Sequence, residues 1–140
     1  MQDLAAEAAV RRLIAKFANS ADLKEWDEWS TCLAESIYAD YSERSSTPPR
    51  SLSKQQFVVE RRAELAAAKT QHLFGNVEVF INGTSATARV STLVSYCDEA
   101  GRTSRSHCVY LLGLQHRRDA WVIGSVVEKV LWLEKEANQR

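Results

Sequence analysis

The residue best suited to chemistry is His72, within Thr70-Gln71-His72. A neutral imidazole is a general base that works near neutral pH. A carboxylate bonded to Nδ1 would fix its tautomer, leave Nε2 as the acceptor and stabilise the imidazolium formed on proton uptake. Asp22 could supply that carboxylate. It has a second reading as a helix N-cap, because Asp22-Leu-Lys-Glu25 has capping-box spacing and such a cap contributes about 1 kcal/mol. The carboxylate has two oxygens, so one could cap while the other meets His72. Tyr41 is either a pocket hydroxyl or a core aromatic whose hydroxyl finds any partner. By period-two alternation Tyr96 shares a face with Thr92 and Val94, and Tyr110 with Cys108 and Leu112. Those faces are expected inward, because Leu112 and Leu114 need burial. Glu128 sits between Val126 and Val130 on one face of the last strand. Pointing inward it would be a pocket carboxylate beside Val126; otherwise it is a charge at an open rim or a subunit contact.

Other chemistries find no support. Cys32, Cys97 and Cys108 form no C-x-x-C, and His72, His107 and His116 are scattered. Neither a disulfide framework nor a metal site is expected. No Gly-rich phosphate loop is present, so no cofactor is implied. Lys plus Arg equals Asp plus Glu at 18 each over 140 residues, and the balance holds within each half. Nucleic acid is therefore not an expected partner. The longest uncharged apolar run, Cys108 to Leu114, is too short to span a bilayer, so no membrane partner is expected. The start Met1-Gln2-Asp3-Leu4 lacks the basic and apolar regions of a signal peptide, which points to a cytoplasmic protein.

These side chains need a frame. Val10, Leu13, Ile14 and Phe17 fall at i, i+3, i+4 and i+7, which predicts an amphipathic helix from about Leu4 to Ser20. A second helix is expected after Asp22, with Trp26, Trp29 and Leu33 as its apolar stripe. Ser36 to Tyr41 reads as a short strand, and Ser42 to Leu52, with Pro48-Pro49, as a loop. Ser53-Lys-Gln-Gln56 opens a third helix with a capping box, running through Phe57, Val58, Arg61 and Leu65 to about Lys69. Val77, Val79 and Ile81 alternate up to Asn82-Gly83, a hairpin signal. Long strands are expected over Thr84 to Cys97, Ser104 to Gln115 and Ala120 to Leu133. One domain spans 1–140: an α+β fold in which a curved, mainly antiparallel sheet wraps three N-terminal helices.

This order resembles the nuclear transport factor 2-like cone fold, in particular its SnoaL-like branch. Ala21-Asp22-Leu-Lys-Glu-Trp26-Asp27, Tyr38-Ala-Asp40-Tyr41 and Thr70-Gln71-His72-Leu-Phe-Gly75-Asn76 look like the pattern of scytalone dehydratase and its bacterial relatives. Bile-acid 7α-dehydratase and hexachlorocyclohexane dehydrochlorinase share the Asp-His pair of that group. The resemblance implies a dyad of Asp22 and His72, with Tyr41 holding the substrate or the departing group. Ala21 stands where the scytalone enzyme has a tyrosine, and Tyr96 near its second histidine. Trp26, Val94, Tyr96, Tyr110, Val126 and Glu128 are expected to line the substrate pocket. The implied activity is a cofactor-independent, dehydratase-like elimination on a small hydrophobic cyclic or polyketide-like molecule. An isomerase or cyclase using the same base, or a non-catalytic binding domain, are the alternatives.

The long strands carry apolar residues at both parities, such as Leu93 beside Val94 and Leu111 beside Leu112. One parity serves the core. The other would leave a contiguous apolar face, so a homo-oligomer, trimer or dimer, is expected to cover it. The segment after Trp132 is the alternative cover.

Overall fold

The computed structural model describes residues 3–135. Its elements run α1 (Leu4–Asp22), α2 (Trp26–Thr31), β1 (Leu33–Asp40), β2 (Arg50–Ser53), α3 (Lys54–Glu64), β3 (Lys69–Asn82), β4 (Ser85–Cys97), β5 (Thr103–Arg117) and β6 (Ala120–Lys135). The strands form one mixed sheet in the order β2-β1-β6-β5-β4-β3. Only the β1–β6 pair is parallel. Register shifts in β3 between Gly75 and Glu78, and between β5 and β6 at His107/Cys108 and Gly113/Leu114, bend the strands. The bend brings the sheet around the helices.

The α+β expectation holds, and so does the parity of β4 and β5. Ala86, Ala88, Val90 and Thr92 are buried on one strand, and Cys108, Tyr110, Leu112 and Leu114 on the next. Against this face α1 lays Val10, Ile14, Phe17 and Ala21, one stripe at helical spacing. Trp29 of α2 joins them, stacked on Phe17 at 5.6 Å between ring centroids. The Ser53–Gln56 capping box is formed at the start of α3.

Other boundaries moved. Sequence 42–52 is not wholly loop: Arg50–Ser53 pairs antiparallel with β1 as a short edge strand. Its one buried side chain, Leu52, is too little for an alternation signal. Helix α3 ends at Glu64 rather than near Lys69, where β3 already begins. Residues Trp132 to Lys135 continue β6, and residues 136–140 lie outside the described part of the chain. His107 lies on the outer face, stacked on Trp132 at 3.9 Å.

The largest correction concerns Asp22. It does not cap a second helix; it is the last residue of α1. The helix stops there because Lys24 turns left-handed at φ 58°. The Lys24 N–H donates to the Ala21 carbonyl at 3.1 Å and the Glu25 N–H to the Ser20 carbonyl at 2.8 Å. This is a Schellman ending with lysine at the position that favours glycine. Helix α2 then starts at Trp26 after Glu25, which makes no side-chain cap. An L side chain at left-handed φ costs about 1–2 kcal/mol. Lys24→Gly, whose added chain entropy offsets part of the gain, is expected to raise unfolding stability by about 0.5–1 kcal/mol in urea titration. An unchanged or lowered midpoint would contradict the strained ending.

Candidate active site

The end of α1 faces the start of β3, and there Asp22 collects three hydrogen bonds. The His72 backbone N–H donates to Oδ2 at 2.7 Å, and the Thr70 hydroxyl to Oδ1 at 2.9 Å. The His72 ring places Nδ1 2.6 Å from Oδ1. A carboxylate only accepts, so Nδ1 carries the proton, and in the neutral ring Nε2 carries the lone pair. No described residue bonds Nε2. Both side chains are largely shielded, 14% exposed for Asp22 and 16% for His72. A carboxylate at a helix C-terminus opposes the helix dipole, at a cost of a few tenths to 1 kcal/mol. Charge-assisted donors are each worth more than that, so the hydrogen bonds decide where the carboxylate stays.

His72 opens onto a cavity of about 390 Å³. Phe17, Ala18, Ala21 and Trp29 form its helical wall, and Phe74, Val94 and Tyr110 its sheet wall. Tyr110 is buried, with its ring 6.5 Å from His72 and 5.8 Å from Phe74. Burial pushes its phenol well above the usual range, so it remains an O–H donor. No described residue hydrogen-bonds it. Tyr96 stands at the half-open end with Arg105 and Glu134.

Glu128 points inward and is 1% exposed. Arg44 holds it, with Nε 2.8 Å from Oε1. Removing the arginine would strand a buried carboxylate, a loss of about 3–5 kcal/mol for a fully buried pair and less here because the Arg44 head is partly solvated. Cys108 lies beside Glu128, and burial, then that charge, push its thiol up to about 11. Burial does the same to Cys32, also about 11, so neither thiol is a nucleophile at neutral pH. Among the described residues no group of three His, Cys, Asp or Glu converges as a metal site.

Of the residues singled out from sequence, His72, Tyr96, Tyr110, Val94 and Glu128 line this cavity, with Asp22 behind His72. Three do not. Tyr41, just past β1, lines a separate cleft of about 50 Å³, where the Arg61 guanidinium covers its ring at 4.7 Å. Its ring meets Tyr110 edge-on at 6.5 Å, so Tyr110 takes the place expected for Tyr41. Trp26 stands edge-on to Trp29, and Trp29, one helical turn on, reaches the cavity instead. Val126 is fully buried between Ala39 of β1 and Leu112 of β5, in the core below the cavity.

Sequence reasoning missed Arg44, Arg61, Trp29 and Phe74 as lining residues. For Arg61 a signal existed: it comes four residues after Phe57 and four before Leu65, a charge within the apolar stripe of α3. Arg44 carries none, because a loop arginine 84 positions from its partner has no local pattern.

The SnoaL-like domain profile matches residues 2–127. No curated protein matches the chain in sequence. Solved structures share the architecture. Kfla4162 of Kribbella flavida superposes with a TM-score of 0.87 at 21% identity, covering 91% of this chain and 92% of that one. A scytalone-dehydratase-like protein of Novosphingobium aromaticivorans DSM 12444 gives 0.84 at 13% identity, over 98% and 91%. The hexachlorocyclohexane dehydrochlorinase LinA-type3 of Novosphingobium barchaimii LL02 gives 0.81 at 11% identity, over 98% and 94%. At these identities the likeness is one of fold. With nine-tenths of its length matched by the profile, the chain belongs to the SnoaL-like domain family, and its sheet and helices have the nuclear transport factor 2-like cone arrangement.

Proposed function

We propose that the protein is a cofactor-independent lyase acting on a small hydrophobic cyclic or polyketide-like molecule. The observation that carries this reading is the Asp22–His72 hydrogen bond of 2.6 Å at the wall of an apolar cavity. His72 Nε2 removes a proton from a carbon next to a carbonyl or a leaving group. Asp22 holds the ring and stabilises the imidazolium. Tyr110, not Tyr41, donates to the departing hydroxyl or the developing oxygen. An isomerase or cyclase would share this first step and differ only in where the proton returns. All three bonds of Asp22 go to β3, and two of them hold His72, which favours a catalytic role over a purely binding one.

The reading includes a cytoplasmic location, to which three free thiols fit. Among the described residues no helix is long and apolar enough to cross a membrane. It also includes a homo-oligomer. Leu73, Leu93, His107 and Trp132 align across β3 to β6 on the outer face, with Leu111 and Leu131 exposed nearby. Light scattering is expected to give a trimer or dimer mass; a monomer at micromolar concentration would remove this part.

Proton abstraction can be read without the natural substrate. In deuterated buffer the protein is expected to accelerate exchange of the α-protons of enolisable cyclic ketones such as 2-tetralone, monitored by NMR. His72→Asn should lower that rate by about 10²–10⁴-fold, with Asp22→Asn also slowed. No acceleration across a panel of such ketones, or an unchanged rate in His72→Asn, would sink the reading.

A further inference from the structure

Removing a proton from carbon leaves a negative charge, and the cavity holds a group placed to receive it. Arg61 lies in the third turn of α3 and stands between two spaces, lining both the cavity of His72 and the Tyr41 cleft. Its side chain is 16% exposed. The guanidinium lies over Tyr41, 4.7 Å from its ring centroid, and 5.8 Å from that of Phe57. Its carboxylate partner, Glu64, is 2.9 Å away but 61% exposed, so water screens that charge. Arg44, by contrast, is neutralised by the fully buried Glu128. Asp22 and Arg61 are then the remaining shielded charges of the cavity, one behind the base and one on the α3 side. With neutral His72 they balance. The balance is kept when His72 becomes cationic and the bound molecule anionic.

We propose that Arg61 is the oxyanion-binding group of this pocket, and that the substrate is a carbonyl compound whose oxygen takes up the charge. This rests on the lyase reading above. The C–H bond breaks, its proton goes to His72 Nε2, and its electron pair forms a C=C bond. The carbonyl π pair moves onto oxygen, facing the guanidinium. No electrons enter or leave the site. An arginine cannot give up its proton, so it cannot protonate a departing hydroxyl; it can hold an oxygen that stays negative. Tyr110 has the opposite capacity, a proton to donate. The two groups therefore divide the work, with arginine for the enolate oxygen and tyrosine for the leaving oxygen.

4-Nitrophenol serves as the probe: a flat ring whose oxygen ionises with a change of absorbance. Nitrobenzene is the neutral control for the cavity. At a pH equal to the phenol's own pKa, the wild type is expected to bind the phenolate at least about tenfold more tightly than the phenol, the scale of one hydrogen bond to a charged group. Arg61→Gln should lose that preference while still binding nitrobenzene. Arg61→Lys should keep part of it. Glu64→Gln, an exposed change that spares the core, should raise it severalfold. His72→Asn should leave the phenolate preference standing while abolishing ketone exchange, so failure of the base and failure of the anion site read out separately. Equal phenolate preference in wild type and Arg61→Gln would overturn the proposal. So would a bound phenol no more ionised than in water, absence of nitrobenzene and phenolate binding in the wild type, or displacement of the phenolate by millimolar chloride, which would point to a departing halide.

Discussion

Three donors from one stretch of β3 converge on a single carboxylate at the end of α1. The Asp22 oxygens take the backbone N–H and ring of His72 and the hydroxyl of Thr70. The first helix is thereby tied to the far edge of the sheet, since β3 is the strand most distant from β2 in the order. The cavity opens beside that attachment, with Thr70 and His72 in its lining. The placement is locally unfavourable twice over: a carboxylate at the negative end of a helix dipole, with a lysine in left-handed conformation two residues on. What compensates is tertiary. Hydrogen bonds to a partly shielded carboxylate outweigh the dipole and the strained turn, and they orient an imidazole as a by-product of holding the helix.

The same economy governs the remaining charge. A largely apolar cavity cannot hold unpaired ions without shifting their protonation or drawing in water. Glu128, the most buried charge, is matched by Arg44 from the loop after β1. Tyr110, opposite Glu128 in the β5–β6 register, stays protonated in this setting. The apolar faces of Phe17, Trp29 and Phe74 supply the low-dielectric surroundings in which a single hydrogen bond or guanidinium has leverage on a reacting atom.

Much of this was legible in the sequence, for identifiable reasons. The inward parity of Val94, Tyr96 and Tyr110 comes from alternation in long antiparallel strands, where one buried leucine sets the face of every second residue. The stripe Val10, Ile14, Phe17 sets the face of α1. The contact of Asp22 with His72 was legible through resemblance, whereas the local pattern pointed to a helix cap. Asp-x-x-Glu scores as a capping box, yet the carboxylate's partners lie 48 and 50 positions downstream, beyond any window. Tyr41 failed similarly. Its spacing from Asp22 fits the scytalone pattern, but Arg61 draws its ring into a separate cleft and leaves the cavity to Tyr110. Val126 and Glu128 share a strand face, and only depth separates core from cavity, which parity cannot express.

The proposed chemistry requires Asp22 to hold His72 in one tautomer, with Nε2 free to accept a proton. Long-range proton–nitrogen NMR of the imidazole at neutral pH tests it most directly. A protonated Nδ1 and an unprotonated Nε2 are expected for His72, with that preference lost in Asp22→Asn. A His72 found as the Nε2–H tautomer, or averaging between both in the wild type, would contradict it.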